Sequence, residues 1–451
     1  MTELQDIVEQ VLVEADRTLV GTQSARRQII LGYSGGKDST VLLHALARSA
    51  LIERFDLAAI HINHRLQEQS NEWEEFCRKT AAKLGVACRT YQVQNKPPAG
   101  DSVEAWARAE RYERLIEASQ PRDFIVTAHH LDDQLETFLL HLMRGAGPHG
   151  LSAIRQIQAF EERFLIRPLL EVEQYSIEEY AKKHELDFVS DPSNVNQNYD
   201  RNYLRHKITP LLRQRWPRVA ENAAHSALIQ QRLADEIDQR ATNSLAQLVS
   251  NGGNSISLEP LRKLSTEHRF WIIRHWCKQE QLDVPDRRHA LEIEKAIFQR
   301  EPKATLLICW KNTELRYYDG RLILRPRQSN GTNGQKYSWD MTAPLKLPNG
   351  ELRAIESAQG KMALRVRGMR CEVGFYQREG ERCRPSGKRH SQSLKKLFQQ
   401  WRVAPWARNS VPIIWVDGEI AAVVPHCVCE HVAAEPGEGG LLLQFSASEL
   451  A

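Results

Sequence analysis

Residues Gln28 to Ala47 read QIILGYSGGKDSTVLLHALA, and the fold is decided in that stretch. The apolar run Ile29–Tyr33 predicts a buried strand, Ser34, Gly35 and Gly36 break it, and from Thr40 apolar residues recur at helical spacing. Strand, small-residue turn and helix in that order aim backbone N–H groups and a positive helix end at one spot. That is an anion site suited to phosphate. It is not a Walker A loop, which needs Ser or Thr directly after Gly-Lys, because Asp38 stands between Lys37 and Ser39. A carboxylate beside a phosphate repels it unless a cation lies between them, so Asp38 points to Mg2+ shared by carboxylate and phosphate oxygens. The plainer alternative is a Ser/Asp helix cap after a glycine turn.

The string Ser34-Gly35-Gly36-Lys37-Asp38-Ser39 resembles the PP-loop of the N-type ATP pyrophosphatases, which split ATP between its α and β phosphates and adenylate a substrate oxygen. The resemblance implies that these six residues hold ATP. It names a superfamily, not a substrate.

Composition sets outer limits. A chain of 451 residues accommodates two or three domains, and 41% hydrophobic with 26% charged residues is ordinary for a soluble protein. A net charge of +4 is too small to mark a nucleic-acid binder without regard to its distribution. The eight cysteines include no C-x-x-C pair, so neither a zinc ribbon nor an iron–sulfur pattern is supported; Cys427 and Cys429 share one side of a strand, where packing is expected. The N-terminus has early acids and no signal-peptide core, and no run approaches the ~20 apolar residues of a spanning helix. A reducing cytoplasm is the expected setting.

Residues 1–190 alternate strands and helices. Strands are expected at Asp56–Asn63, Val86–Val93, Phe124–Ala128 and Phe164–Ile166. Helices are expected at Asp6–Val20, around Trp73–Leu84, from a capping box at Asp101 and Glu104 to about Ser119, and after Ala128 to Arg144. This alternation predicts an α/β fold, a doubly wound, Rossmann-like parallel sheet with helices on both faces and ligands at the carboxyl ends of the strands.

Besides the loop, two strand ends and one helix carry candidate chemistry. His61-Ile62-Asn63-His64 ends the second strand, where solvated turn histidines are the plain reading. In Ala128-His129-His130-Leu131-Asp132-Asp133-Gln134-Leu135-Glu136-Thr137, a helix would set His129, Asp133 and Glu136 on one face. Two carboxylates and an imidazole could hold Mg2+ or orient an amine and take its proton; the alternative is Asp132 as N-cap with acids complementing the helix dipole. Glu104, Arg108 and Arg111 recur at i, i+4 and i+7, which reads as helix-surface ion pairing or as cations stabilising charge in the site.

SGGKDS, HINH, EAWARAERY, AHHLDDQLET, RGAGPHGLSAI, IRPLL and SDPSNVNQNYDRNYLRHKITPLL, taken together and in order, resemble the tRNA(Ile)-lysidine synthase family over residues 25–217 and again near the C-terminus. Departures are small: Gln67 stands where Arg is common, Asp132 where Asn is frequent, and Ala404 where Pro is commoner. The resemblance implies a two-step ligation. ATP adenylates the wobble cytosine of tRNA(Ile) bearing a CAU anticodon, and the amine of L-lysine then displaces AMP, which converts AUG to AUA reading. It places His61 at the adenine side of the pocket, Asp38 and Asp133 at Mg2+, and Asp38, Arg108, Arg111, His129, Asp133 and Glu136 in the chemistry.

The remaining chain reads as substrate binding. Arg201–Arg218 holds six Lys/Arg and no acid, with Tyr203 and Trp216 among them, which suits phosphate contact and base stacking from Arg201, Arg205 and Lys207. Arg382–Arg408 holds eight Lys/Arg and no acid. There Leu394, Leu397, Phe398 and Trp401 form a helix stripe with Lys395 and Lys396 outward, and Arg384, Lys388 and Arg389 precede it. The expected division is a catalytic domain over 1–217, a mainly helical tRNA-positioning domain over 218–328, a linker at Ser329–Gln335 and a small α+β tRNA-binding domain over 338–451. The rival readings are a PP-loop tRNA thiolase, which would need cysteine pairs or a sulfur carrier, and a tRNA-binding protein with a vestigial nucleotide site.

Overall fold

The computed structural model describes residues 3–20, 27–98, 103–192, 196–249, 254–303, 306–327, 335–357, 363–365, 370–376, 380–435 and 438–447. Asp101 of the expected capping box and the Ser329–Gln335 linker, apart from Gln335, lie outside these residues. The chain forms two compact units, Met1–Glu236 and Ile237–Ala451.

The first unit is built on β1 (Arg27–Gly32). Its consecutive residues point to opposite faces, as strand geometry requires. Ile29 and Leu31 enter a core with Leu12, Val41, Leu42 and Ile177, while Ile30 enters a second core with Ile60, Leu115 and Ile125. All three β1 side chains are fully buried, which explains why the strand reads as an unbroken apolar run. Helices α1 (Leu4–Val20) and α2 (Lys37–Ala47) cover the first face; β2 (Phe55–Asn63), α3 (Ser70–Lys83), β3 (Ala87–Gln92), α4 (Val103–Glu117), β4 (Phe124–Val126) and α5 (Leu131–Met143) follow. The sheet order is β3-β2-β1-β4-β6-β5, with β5 at Ile157–Phe160 and β6 at Arg163–Ile166. Five strands are parallel. β5 was not expected; it pairs antiparallel with β6, because a connection as short as Glu161-Glu162 makes a hairpin and cannot make a crossover.

β1 has β2 on one side and β4 on the other, both parallel. The strand order reverses there, so the loops after β1 and β4 open a crevice at the carboxyl ends of the strands. The fold places Ser34–Gly36 and Thr127–His130 at that crevice.

A 30-residue helix, Val219–Leu248, follows the first unit's basic segment and enters the second. The second unit contains helices Thr266–Gln279 and Arg287–Ile293 packed with a four-stranded antiparallel sheet. Its strands are Ser255–Ser257, Leu307–Trp310, Thr313–Tyr318 and Arg321–Pro326, a β component beside the helices of the domain expected to be mainly helical. The C-terminal part is more β than foreseen, with five- and four-stranded antiparallel sheets. The short helix Leu394–Gln400 buries Leu394, Leu397 and Phe398, matching the expected stripe. No helix among the described residues is long and apolar enough to cross a membrane.

Candidate active site

The loop after β1 is shaped for a ligand that approaches backbone. Gly35 has φ of +82°, and a Cβ there would lie 2.8 Å from Cys77 Sγ; only glycine suits both the conformation and the space. Gly36 is the N-cap of α2 and brings no side chain to satisfy the first-turn amides, which remain directed at the crevice. Ser34 and Ser39 hold the turn: their hydroxyls are 3.0 Å apart, and Ser39 Oγ donates to Gly36 O at 3.0 Å. The helix-cap reading of Ser39 fails on this geometry, since Gly36 occupies the cap. Lys37 Nζ donates to Glu178 Oε1 at 2.6 Å, so phosphate would have to draw it from an exposed carboxylate.

Asp38 is half-buried, and its Oδ1 is a buried oxygen with no hydrogen-bond partner. Burial pushes its carboxyl above the usual range and Asp133 adds to this, while His130 works in the other direction. An orphan buried carboxylate oxygen in the first turn after a phosphate loop is the arrangement a hard cation satisfies. The residues therefore fit Mg2+.

The loop after β4 supplies the second half. Helix α5 starts at Leu131, so His129 precedes it and does not share a helical face with Asp133 and Glu136, which corrects the expected i, i+4, i+7 pattern. The cap is His130, not Asp132: its Nδ1 accepts from Asp132 N at 3.3 Å, and Asp133 Oδ2 accepts from His130 N at 3.1 Å. With Nδ1 accepting, the proton sits on Nε2, which lies 3.8 Å from Asp38 Oδ2 and 3.5 Å from Asp133 Oδ2. His130 is therefore the residue that links the two expected metal ligands, and helical periodicity passed over it by reading the helix two residues too early.

Burial opposes ionisation of Asp133. The His130 and His129 rings and the Arg205 and Arg201 guanidinium groups outweigh it and hold the carboxyl below its usual range. Burial raises the fully buried Glu136 carboxyl, against which Arg205 works to favour the charged form. Two neighbouring carboxyls are thus pushed apart. Burial depresses His129 to about 3, and its Nδ1 meets Thr127 Oγ1 at 2.9 Å, so its ring is neutral at neutral pH.

His61 is buried, and its Nδ1–H donates to Tyr33 O at 3.0 Å, which leaves Nε2 as an acceptor. His64 packs edge-on to Trp106 and is depressed by burial to about 4. On α4, Arg108 lies over the Tyr112 ring at 5.0 Å, and Arg111 is solvent-accessible, with Arg108 and Arg201 in its neighbourhood. Glu104 pairs with Arg201 at 3.5 Å rather than with its own helix.

The basic candidates divide. Arg201 bonds Thr137 Oγ1 at 2.9 Å and lies 3.4 Å from Glu136, and Arg205 bonds Glu136 and Asp133; both sit in the carboxylate cluster, where an RNA phosphate would have to compete for them. Arg213, which had not been singled out, pairs with Asp132. Lys207, Tyr203 and Trp216 are exposed, as nucleic-acid contact requires; Trp216 does not serve the core. In the second unit Arg384, Lys388, Arg389, Lys395 and Lys396 are all exposed, with Arg384 3.9 Å from Glu430.

A PP-loop domain profile matches residues 4–212, a TilS substrate binding domain residues 256–323, and a TilS substrate C-terminal domain residues 371–445. The chain is 32% identical to the tRNA(Ile)-lysidine synthase of Coxiella burnetii, over 93% of this chain and 94% of that protein. It is 35% identical to the one from Alkalilimnicola ehrlichii, covering 90% and 91%, and 34% identical to that of Vibrio cholerae, covering 88% and 90%.

Proposed function

The chain belongs to the tRNA(Ile)-lysidine synthase family, and from that premise we propose that it ligates L-lysine to the wobble cytidine of tRNA(Ile) with a CAU anticodon. It is an ATP-dependent carbon–nitrogen ligase whose PP-loop holds the nucleotide. In the first step the cytosine carbonyl oxygen attacks the α-phosphorus of ATP, a P–O bond forms, and diphosphate leaves. In the second, lysine's amine attacks the activated ring carbon, the C–O bond breaks, and AMP leaves.

The candidate residues divide among the steps of that scheme, apart from Arg201 and Arg205, which pair with the carboxylate cluster. The α2 amides, Ser34, Ser39 and Lys37 hold phosphate, and Lys37 exchanges Glu178 for it. His61, with Nε2 left as an acceptor, suits the exocyclic amine of adenine. Asp38 and Asp133 would hold Mg2+, which when bound neutralises phosphate charge and leaves diphosphate a better leaving group. Arg108 and Arg111 offset the charge that develops on the α-phosphate. A carboxyl pushed up accepts a proton more readily than one held low, so Glu136 is the better base for the lysine ammonium and Asp133 the better cation ligand. His129, neutral, orients rather than repels the incoming amine. Lys207 and the exposed cations of the second unit contact tRNA phosphate.

The observation that carries this reading is the convergence of Asp38, His130 and Asp133 beside the phosphate loop. The full chain should transfer labelled lysine to CAU-anticodon tRNA(Ile) when ATP and Mg2+ are present. Asp38→Asn should abolish AMP formation. Absence of label, or equal label in tRNA(Met), overturns the assignment.

A further inference from the structure

Cys383 comes from one limb of the C-terminal part, and Cys427 and Cys429 from another, 44 and 46 residues further along the chain. Their three Sγ atoms nevertheless lie within 4.8 Å of one another, and all three residues are buried. Backbone contacts fix this meeting. Ser386 N donates to Val428 O at 2.9 Å, Glu430 N to Arg384 O at 2.9 Å, and Cys429 N to Ala421 O at 2.8 Å. Cys427 and Cys429 alternate so that both face the same side, where Cys383 arrives from across the Pro385–Cys429 bridge.

We propose that Cys383, Cys427 and Cys429 form a binding site for one Zn2+, which staples the base of the basic loop to the C-terminal core. Zinc–thiolate bonds of about 2.3 Å set tetrahedral sulfur–sulfur edges near ~3.8 Å, so the triad needs only a small contraction to close on the ion. Three thiolates with no carboxylate or carbonyl oxygen in the set favour a soft ion and disfavour Mg2+ or Ca2+. Each thiol gives its proton to solvent on binding, and the fourth position is left to water. Isolated buried cysteines act as small apolar side chains, and that suffices for Cys77 or Cys277; it does not require three thiols to converge from separate limbs. Arg384 directly follows Cys383, and Lys388 and Arg389 lie in the same exposed loop, so the ion would fix the root of a positively charged surface.

The test uses the full chain, purified under reducing, metal-free conditions and titrated with Zn2+, and in parallel with Co2+. The expected result is close to one equivalent bound per chain, with a near-ultraviolet thiolate-to-cobalt charge-transfer band. Cys383→Ser, Cys427→Ser or Cys429→Ser should lose the ion, while Cys309→Ser retains it. Because the cobalt band is read on the unaltered chain, a variant that fails to fold does not obscure the outcome. Chelation should speed tryptic cleavage at Lys388 and Arg389 about fivefold or more. No bound ion, or a disulfide between two of the three with no metal uptake, overturns the site; one bound ion with unchanged cleavage overturns the stapling role.

Discussion

Arg205 Nε donates to Glu136 Oε1 at 2.6 Å, joining the basic segment after residue 200 to the first turns of α5. A second guanidinium nitrogen donates to Glu136 Oε2 at 2.9 Å and to Asp133 Oδ1 at 3.2 Å. Glu136 is fully buried, so it cannot be left without a cation at small cost. Arg205→Ala should lower unfolding free energy by about 2 kcal/mol, less than a wholly buried pair because Arg205 is partly solvated and Arg201 stands close by. The same variant should lose most AMP formation while retaining most tRNA affinity. If tRNA affinity falls in filter binding while AMP formation persists, Arg205 belongs to the RNA surface instead.

How much of this was legible in the sequence follows from the range of each interaction. The order of strand, Gly-rich turn and helix is local, and QIILGYSGGKDS carried it, together with the parallel alternation to Ile166. The hairpin strand Ile157–Phe160 was missed because its two central residues, polar Gln158 and apolar Ala159, are both exposed, and no alternation marks them. The role of His130 depends on where α5 begins, and a shift of two residues moved attention to His129. Arg201 and Arg205 looked like RNA contacts because their partners lie more than 60 residues away. The cysteine triad was unreadable for the same reason: Cys383 meets Cys427 and Cys429 only through the fold.

Gly35 gives a sharp test of the phosphate loop. Its φ of +82° costs an L-residue about 1–2 kcal/mol, and a Cβ 2.8 Å from Cys77 Sγ adds a clash with a fully buried neighbour. Gly35→Ala should therefore weaken ATP binding at least tenfold, by displacing the α2 amides. Adding Cys77→Ala should recover part of that loss by removing the clash but not the backbone strain. Equal ATP affinity in Gly35→Ala and the unaltered chain, read by equilibrium dialysis, would sink the assignment of the loop.

Lys395 and Lys396 project from the helix whose other face buries Leu394, Leu397 and Phe398. Phosphate contact by both should appear as salt dependence, since each neutralised phosphate releases counterions. Replacing both with Ala should weaken tRNA binding and flatten the slope of log affinity against log salt by about 2. ATP binding should stay unchanged. An unchanged slope would remove these two lysines from the RNA surface.

The neutral histidines of the first unit predict how stability depends on pH. Burial depresses His64 to about 4 in the fold, with Arg111 and His61 adding to the effect, whereas an unfolded chain titrates near 6.5. Between those values the unfolded chain takes a proton that the fold refuses, so unfolding becomes easier as pH falls from about 6.5 toward 4. Below that interval His64 adds no further loss, and above it there is none. Burial shifts His44, His61 and His129 the same way, so the acid-side fall is a composite. His64→Gln removes one contributor without introducing a charge, and the drop in thermal midpoint between pH 7 and pH 5 should shrink but not vanish. An equal or steeper drop in the variant would mean that His64 accepts its proton in the folded chain, and that the apolar contact with Trp106 does not hold it neutral.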